Sequence, residues 1–159
     1  MNPKPHTPRS MRRDRGFTLV ESLVAMVVIS VGMLGIAALY VEGLRAGRTS
    51  VYRTVAIDLA SDMADRIRAN PTARDGYDVD AAGAGVEGDC VNGADDCAPA
   101  TLAADDIFWW KQSVTALLPQ GAASVVAVPG AEISSYTITI NWAEPGVDVP
   151  LQYALAVQL

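Results

Sequence analysis

The residue with the most unusual chemistry in this chain is Glu21, an acid at the head of an otherwise uncharged apolar run. From Ser22 to Val41 the sequence reads SLVAMVVISVGMLGIAALYV, about the length that crosses a ~30 Å hydrocarbon core as a helix. A carboxylate at the centre of such a span costs about 2.5–3.5 kcal/mol, and less near its end. An acid retained there is by default functional, because it needs a partner of opposite charge. Other chemistry-bearing residues are few: Cys90 and Cys97, the acidic group Asp89, Asn92, Asp95 and Asp96, and one histidine, His6.

The elements that position Glu21 follow from the flanks of the run. Lys4, Arg9, Arg12, Arg13 and Arg15 precede it, and Arg45, Arg48 and Arg53 follow. The excess of basic residues on the amino-terminal side predicts that residues 1–16 stay in the cytoplasm and the rest is exported. A secretory signal peptide would have a shorter apolar core and a small-residue cleavage site after it. An ordinary single-span anchor accounts for the length and the arginines but leaves Glu21 unexplained.

The residues Gly16-Phe17-Thr18-Leu19-Val20-Glu21, behind a short basic leader and ahead of the apolar run, resemble the class III signal of type IV prepilins and type II secretion pseudopilins. The resemblance implies that a prepilin peptidase cuts after Gly16 and methylates the new amine of Phe17. Glu21 then becomes the fifth residue of the mature chain, where the family carries a glutamate used in assembly. The physics agrees: an amine of pKa near 8 in an apolar setting is costly unless paired. Helices packed with an axial stagger bring the first residue of one chain beside the fifth of its neighbour. A buried polar group that sets register is the best-attested use of such a cost.

Charge and composition narrow the function. The chain has 12 basic and 18 acidic side chains, net −6, and residues 17–159 keep seven and 17 of them, net −10. No nucleic-acid partner is expected of so acidic a surface. Cleavage would remove His6, leaving no histidine for a Ser-His-Asp or Cys-His site, and no phosphate-binding loop or dinucleotide fingerprint is visible. No enzymatic activity, cofactor or metal is therefore expected.

Beyond the run, Val51, Val55, Leu59 and Met63, with Ala56, Ala60 and Ala64 beside them, predict the apolar stripe of an amphipathic helix. Asp62 with Arg66 and Asp65 with Arg68 read as pairs on its solvated face, worth a few tenths of a kcal/mol each. Asn70-Pro71 ends the helix. Residues 70–104 read as a long loop. Within it, an even cysteine pair in an exported segment predicts a Cys90–Cys97 disulfide, worth roughly 2.5 kcal/mol in the chain-entropy account. A zinc site lacks partners, and the acidic group does not match the spacing of a calcium loop.

Asp105-Asp106 reads as the cap of a short helix, IFWWKQSVTALL, with Ile107, Trp110, Val114 and Leu117 or Leu118 on one face and Pro119 as its stop. Strands are predicted over 124–128, 136–142 and 151–159. Glu144-Pro145-Gly146 turns the last two into an antiparallel pair, so that Tyr136, Ile138, Ile140 and Trp142 meet Leu151, Tyr153, Leu155 and Val157 on a buried face. The Val51–Met63 stripe is the expected cover, giving an α+β, pilin-like fold with the second half of a long helix on a small antiparallel sheet.

The run Asp62-Met63-Ala64-Asp65-Arg66-Ile67-Arg68-Ala69-Asn70-Pro71, with Trp109 or Trp110, Leu117-Leu118-Pro119 and the 136–142 strand, is similar to the PilV group of type IV pilus minor pilins. Ala38 stands where major pilins often carry a kinking proline, and the cysteines are not at the extreme carboxyl end. The expected organisation is a cytoplasmic leader (1–16), a transmembrane helix half (17–41), an amphipathic half (42–70) and a periplasmic region (71–159). The expected role is that of a single-pass inner-membrane minor pilin that enters a pilus. Its expected partners are the prepilin peptidase, other minor pilins and the major pilin. A type II secretion pseudopilin is the alternative within the class, and a monomeric membrane-anchored binding domain is the alternative outside it.

Overall fold

The computed structural model describes residues 16–90, 96–128 and 134–159. Their order is helix α1 (Leu19–Ala69), a 3-10 turn (Arg74–Tyr77), helix α2 (Pro99–Leu117) and strands β1 (Ala122–Val128), β2 (Ser135–Trp142) and β3 (Leu151–Gln158). The described residues divide into two compact units, one ending at Leu44 and one beginning at Arg45. In the first, the large apolar side chains from Leu19 to Leu44 are all exposed, and α1 carries a stretch of mean hydropathy 2.4, none of it buried in the protein. A helix apolar on every side suits lipid rather than a protein core. Ser30 fits this setting because its hydroxyl donates to the Met26 carbonyl at 2.7 Å, so that hydroxyl is paired within the helix.

The second unit is an antiparallel meander in the order β1-β2-β3, covered on one face by two helices. The β2–β3 register pairs Tyr136 with Val157, Ile138 with Leu155, Ile140 with Tyr153 and Trp142 with Leu151, as the alternation of residue types predicted. β1 starts at Ala122, two residues before its expected start, and pairs Val125 with Ile138. From α1, Ala56, Leu59, Ala60, Met63, Ala64 and Ile67 enter the core. Val51, expected in the same stripe, is 60 % exposed. The stripe is buried only from Ala56 onward, where other elements lie over it. This is the α+β, pilin-like fold: a long amino-terminal helix followed by a small three-stranded antiparallel sheet.

Helix α2 departs from expectation at its start. It begins at Pro99, behind an extended Ala98, so Asp105 and Asp106 lie inside the helix and do not cap it. Proline is favoured at the first helical position, where no amide bond is lost, and the alanines that follow propagate helix well. The segment 70–104 therefore contains the 3-10 turn and the start of α2 as well as loop. Gly85, at φ +70°, lets that loop lie on α2: a Cβ there would sit 2.6 Å from the Ala104 carbonyl and the Phe108 nitrogen. Trp110 is fully buried and its indole donates to the Leu59 carbonyl at 2.8 Å. Trp109 is half-buried and edge-to-face with Phe108, so the two tryptophans divide between core and surface.

Asp106 joins three elements. It accepts from Arg66 Nη1 of α1 and from the Tyr77 hydroxyl, each at 2.8 Å, while Asp105 accepts from the Gly88 amide at 2.8 Å. Burial alone would lower the Arg66 guanidinium, but its bonds to Asp106 and Asp62 reverse that and raise it. Burial pushes the Tyr77 phenol well up, and the bond to Asp106 adds to the shift. Arg66 was expected only on a solvated face; it makes the Asp62 pair at 3.0 Å but also reaches inward.

Asp106→Ala should cost about 2–4 kcal/mol in urea unfolding, because the phenol of Tyr77 and the guanidinium of Arg66 lose a buried acceptor. Asp65→Ala, which removes an exposed pair with Arg68, should cost less than about 0.5 kcal/mol in the same measurement. Equal losses would show that Asp106 is not a buried junction.

Candidate processing segment and helix tether

Gly16 and Phe17 stand outside the helix, and Phe17 is 83 % exposed. α1 opens two residues later than a start at Phe17, because Thr18 caps it. The Thr18 hydroxyl accepts the Glu21 amide at 3.2 Å while its carbonyl accepts the Ser22 amide at 3.2 Å. The Thr18-x-x-Glu21 spacing is that of a capping box, and it places the acid in the first turn, where unsatisfied amides favour negative charge. The signal for this cap is local, a threonine three residues before a glutamate. The first-turn position offsets part of the cost of an acid at the edge of an apolar span by about 0.3–1 kcal/mol. Residues 1–15, which carry the basic leader, lie outside the described residues.

Close to the start of the second unit, α1 is tied to the turn between β2 and β3. Thr49 donates to Glu144 Oε2 at 2.5 Å and the Trp142 indole donates to Glu144 Oε1 at 3.0 Å. Only 9 % of Glu144 is exposed. The Thr49 bond holds its carboxyl below the ordinary value; burial opposes the shift, and the Trp142 bond with the nearby charges of Arg53 and Arg48 supports it. Glu144 was expected only as the first residue of a turn. Gly146, at φ +86°, supplies the left-handed residue that turn needs. From α2, Lys111 donates to the carbonyls of Asp80 and Gly83, and burial lowers its pKa, with Asp80 opposing.

The Cys90–Cys97 disulfide is present. Of the acidic group beside it, Asn92 and Asp95 lie outside the described residues. Among the described residues there is no cluster of histidine, cysteine and acidic side chains able to hold a metal.

Residues 11–37 match the family described as the prokaryotic N-terminal methylation motif, and residues 38–108 match the one described as type IV pilin Tt1218. Neither a curated protein nor a solved structure matches the chain. The first match contains Gly16, Phe17, Thr18 and Glu21; the second runs from the end of the apolar stretch into α2, and the sheet lies beyond it. With the apolar helix and the antiparallel sheet, the two matches make this a type IV pilin-like protein, a pilin subunit of a type IV pilus or a related system. The motif implies processing by a prepilin peptidase and association with pilus components, and the apolar helix fits a membrane-anchored subunit. The family points to a structural rather than an enzymatic role.

The Glu144 tether carries a pH signature. Its folded pKa lies below the ordinary 4.5, so its contribution is complete above that value and is lost as the pH falls through the folded pKa. Glu144→Gln should be less stable than the natural protein at pH 7, and the difference should shrink on acidification below about 4.5. A stability difference that stays constant with pH would show that the carboxylate charge does not hold the turn to α1.

Proposed function

We propose that the chain is a minor pilin of a type IV pilus. It is cut after Gly16, methylated on the Phe17 amine and held in the inner membrane by residues 17–41. Residues 42–70 form its amphipathic helix half, residues 71–159 lie in the periplasm, and the mature chain is then inserted into a pilus or used to prime one. The observation that carries this reading is Glu21: an acid in the first turn of an exposed apolar helix, inside the stretch that matches the methylation motif. Its partner would be the Phe17 amine of a neighbouring subunit. The other minor pilins and the major pilin are the proposed neighbours.

The PilV group is favoured by Asp62–Pro71, whose residues join elements in this fold: Arg66 reaches Asp106, and the Asn70 side-chain Nδ2 donates to the Pro99 carbonyl at 2.8 Å. Ala38 in place of a kinking proline favours a minor over a major subunit. A pseudopilin of a type II secretion system uses the same amino-terminal chemistry, and recovery of the protein with sheared pili rather than with a secretion complex decides between them.

Two substitutions test the reading. A Cβ on Gly16 would meet nothing within 4 Å, so Gly16→Val leaves the fold alone and should block only the cut; intact mass should retain residues 1–16. A variant still trimmed to Phe17 would show the site to be elsewhere. Glu21→Ala should be processed and inserted normally, since the span becomes more apolar, yet be depleted from sheared filaments. An unpaired buried amine costs about 3–5 kcal/mol. Equal amounts of the variant and the natural protein in the filament fraction would remove Glu21 from the assembly contact.

A further inference from the structure

The two edges of the sheet are treated differently. Along β1, Val125 exchanges both backbone hydrogen bonds with Val79, at 2.9 Å each, and the Ala127 amide donates to the Asp78 carboxylate. That edge is covered. Along β3, the exchange of bonds between Leu159 and Ser134, at 2.8 and 2.9 Å, sets the phase of the ladder. The register runs without a bulge from there to Leu151. Since inward and outward backbone groups alternate along an antiparallel strand, Leu151, Tyr153, Leu155 and Val157 point theirs at β2. Gln152, Ala154, Ala156 and Gln158 point their N–H and C=O groups away from the sheet, with no partner among the described residues.

Natural edges are usually blunted by charge, an internal proline or a bulge, and β3 has none of these. Residues 150–159, PLQYALAVQL, have no charged side chain. The side chains on the covered face are also unevenly protected: Tyr136, Ile138, Ile140 and Trp142 of β2 are buried, whereas Leu151, Tyr153 and Leu155 of β3 are half-exposed. The strand sequence names its own partner. Leu151-Gln152-Tyr153-Ala154-Leu155-Ala156-Val157-Gln158-Leu159 reads almost the same in both directions about Leu155, differing only in the exchange of Tyr153 and Val157.

We propose that the free edge of β3 is a docking site for β3 of a second copy of this chain, paired antiparallel about a two-fold axis through Leu155. Outward-facing groups must meet outward-facing groups, and with this axis they do: Gln152 exchanges bonds with the second copy's Gln158, and Ala154 with its Ala156. On the covered face Leu155 meets Leu155, Tyr153 meets Val157 and Leu151 meets Leu159, so every pair is apolar. An isologous contact of this kind is self-complementary and closed. The axis stands along the sheet normal, so residues 45–69 of α1 in the two copies run in opposite directions. The contact therefore suits copies displayed on two oppositely directed assemblies, rather than neighbours side by side in one membrane. Each copy carries net −10 over residues 17–159, so the contact strengthens as salt screens the repulsion.

Variants of the mature full-length chain with one added cysteine, Cys90 and Cys97 remaining joined to each other, test the register in detergent micelles under mild oxidation. Leu155→Cys places two thiols on backbones about 4.5 Å apart, inside the range a disulfide spans, and should cross-link efficiently. Gln152→Cys lies about 20 Å from its own copy and should stay at background, as should Gln158→Cys. Mixing those two variants restores a directly opposed pair and should restore the cross-link; because both sites are exposed, this arm decides the matter if Leu155→Cys disturbs the fold. Ala156→Pro removes only an outward amide and leaves the β2 ladder whole, so it should lower the Leu155→Cys cross-link by about tenfold. Cross-linking that is equal at all positions, absent at Leu155 and in the mixture alike, or indifferent to Ala156→Pro overturns the proposal.

Discussion

One helix has to satisfy two solvents in succession, and the rest of the fold follows from where it changes between them. Up to Leu44, α1 exposes large apolar side chains on every side, which is stable only where water is absent. From Ala56 to Ile67 the same helix offers a single buried stripe and becomes half of a water-soluble core. The sheet, α2 and the 3-10 turn exist to cover that stripe. Arg45, Arg48 and Arg53 fall between the two regimes, where charged side chains reach polar surroundings at least cost.

Polar groups do the work of orientation at both ends of the covered stripe. Glu144 receives Thr49 and Trp142 near its start, and Asp106 receives Arg66 and Tyr77 near its end. Hydrophobic burial is non-directional, so a helix on a flat sheet would slide or rotate if nothing else held it. Directional bonds to buried carboxylates oppose that, because any shift would leave an acid without donors. The Trp110 indole bonded to the Leu59 carbonyl adds a third fixed point between them.

The sheet needs only three strands because its two faces and two edges have different tasks. One face is covered by the helices, and one edge is closed by Val79. The disulfide between Cys90 and Cys97 falls, along the chain, between this closure and α2. β3 is left with an uncharged open edge, which in a small domain is a liability unless something pairs with it.

Much of this was written locally in the chain. The apolar run, the existence of an apolar stripe on α1, the antiparallel pairing of β2 with β3 and the cysteine pair are properties of residue type and spacing, since a helix repeats every 3.6 residues and a strand every two; where along α1 the stripe becomes buried is not. Glu21 was conspicuous for the same reason, as a single exception to a long pattern. The start of α2 differs from the local signal because two adjacent acids resemble a cap, whereas the Pro99 to Ala104 stretch already supports a helix. Only the tertiary structure decided that Asp105 and Asp106 are buried acceptors, that Arg66 turns inward, that Glu144 holds Thr49 across 95 residues of sequence, and which sheet edge is closed. These depend on partners far apart along the chain. No local period encodes such pairings, because each side chain is compatible with water until the fold brings its partner within hydrogen-bonding distance.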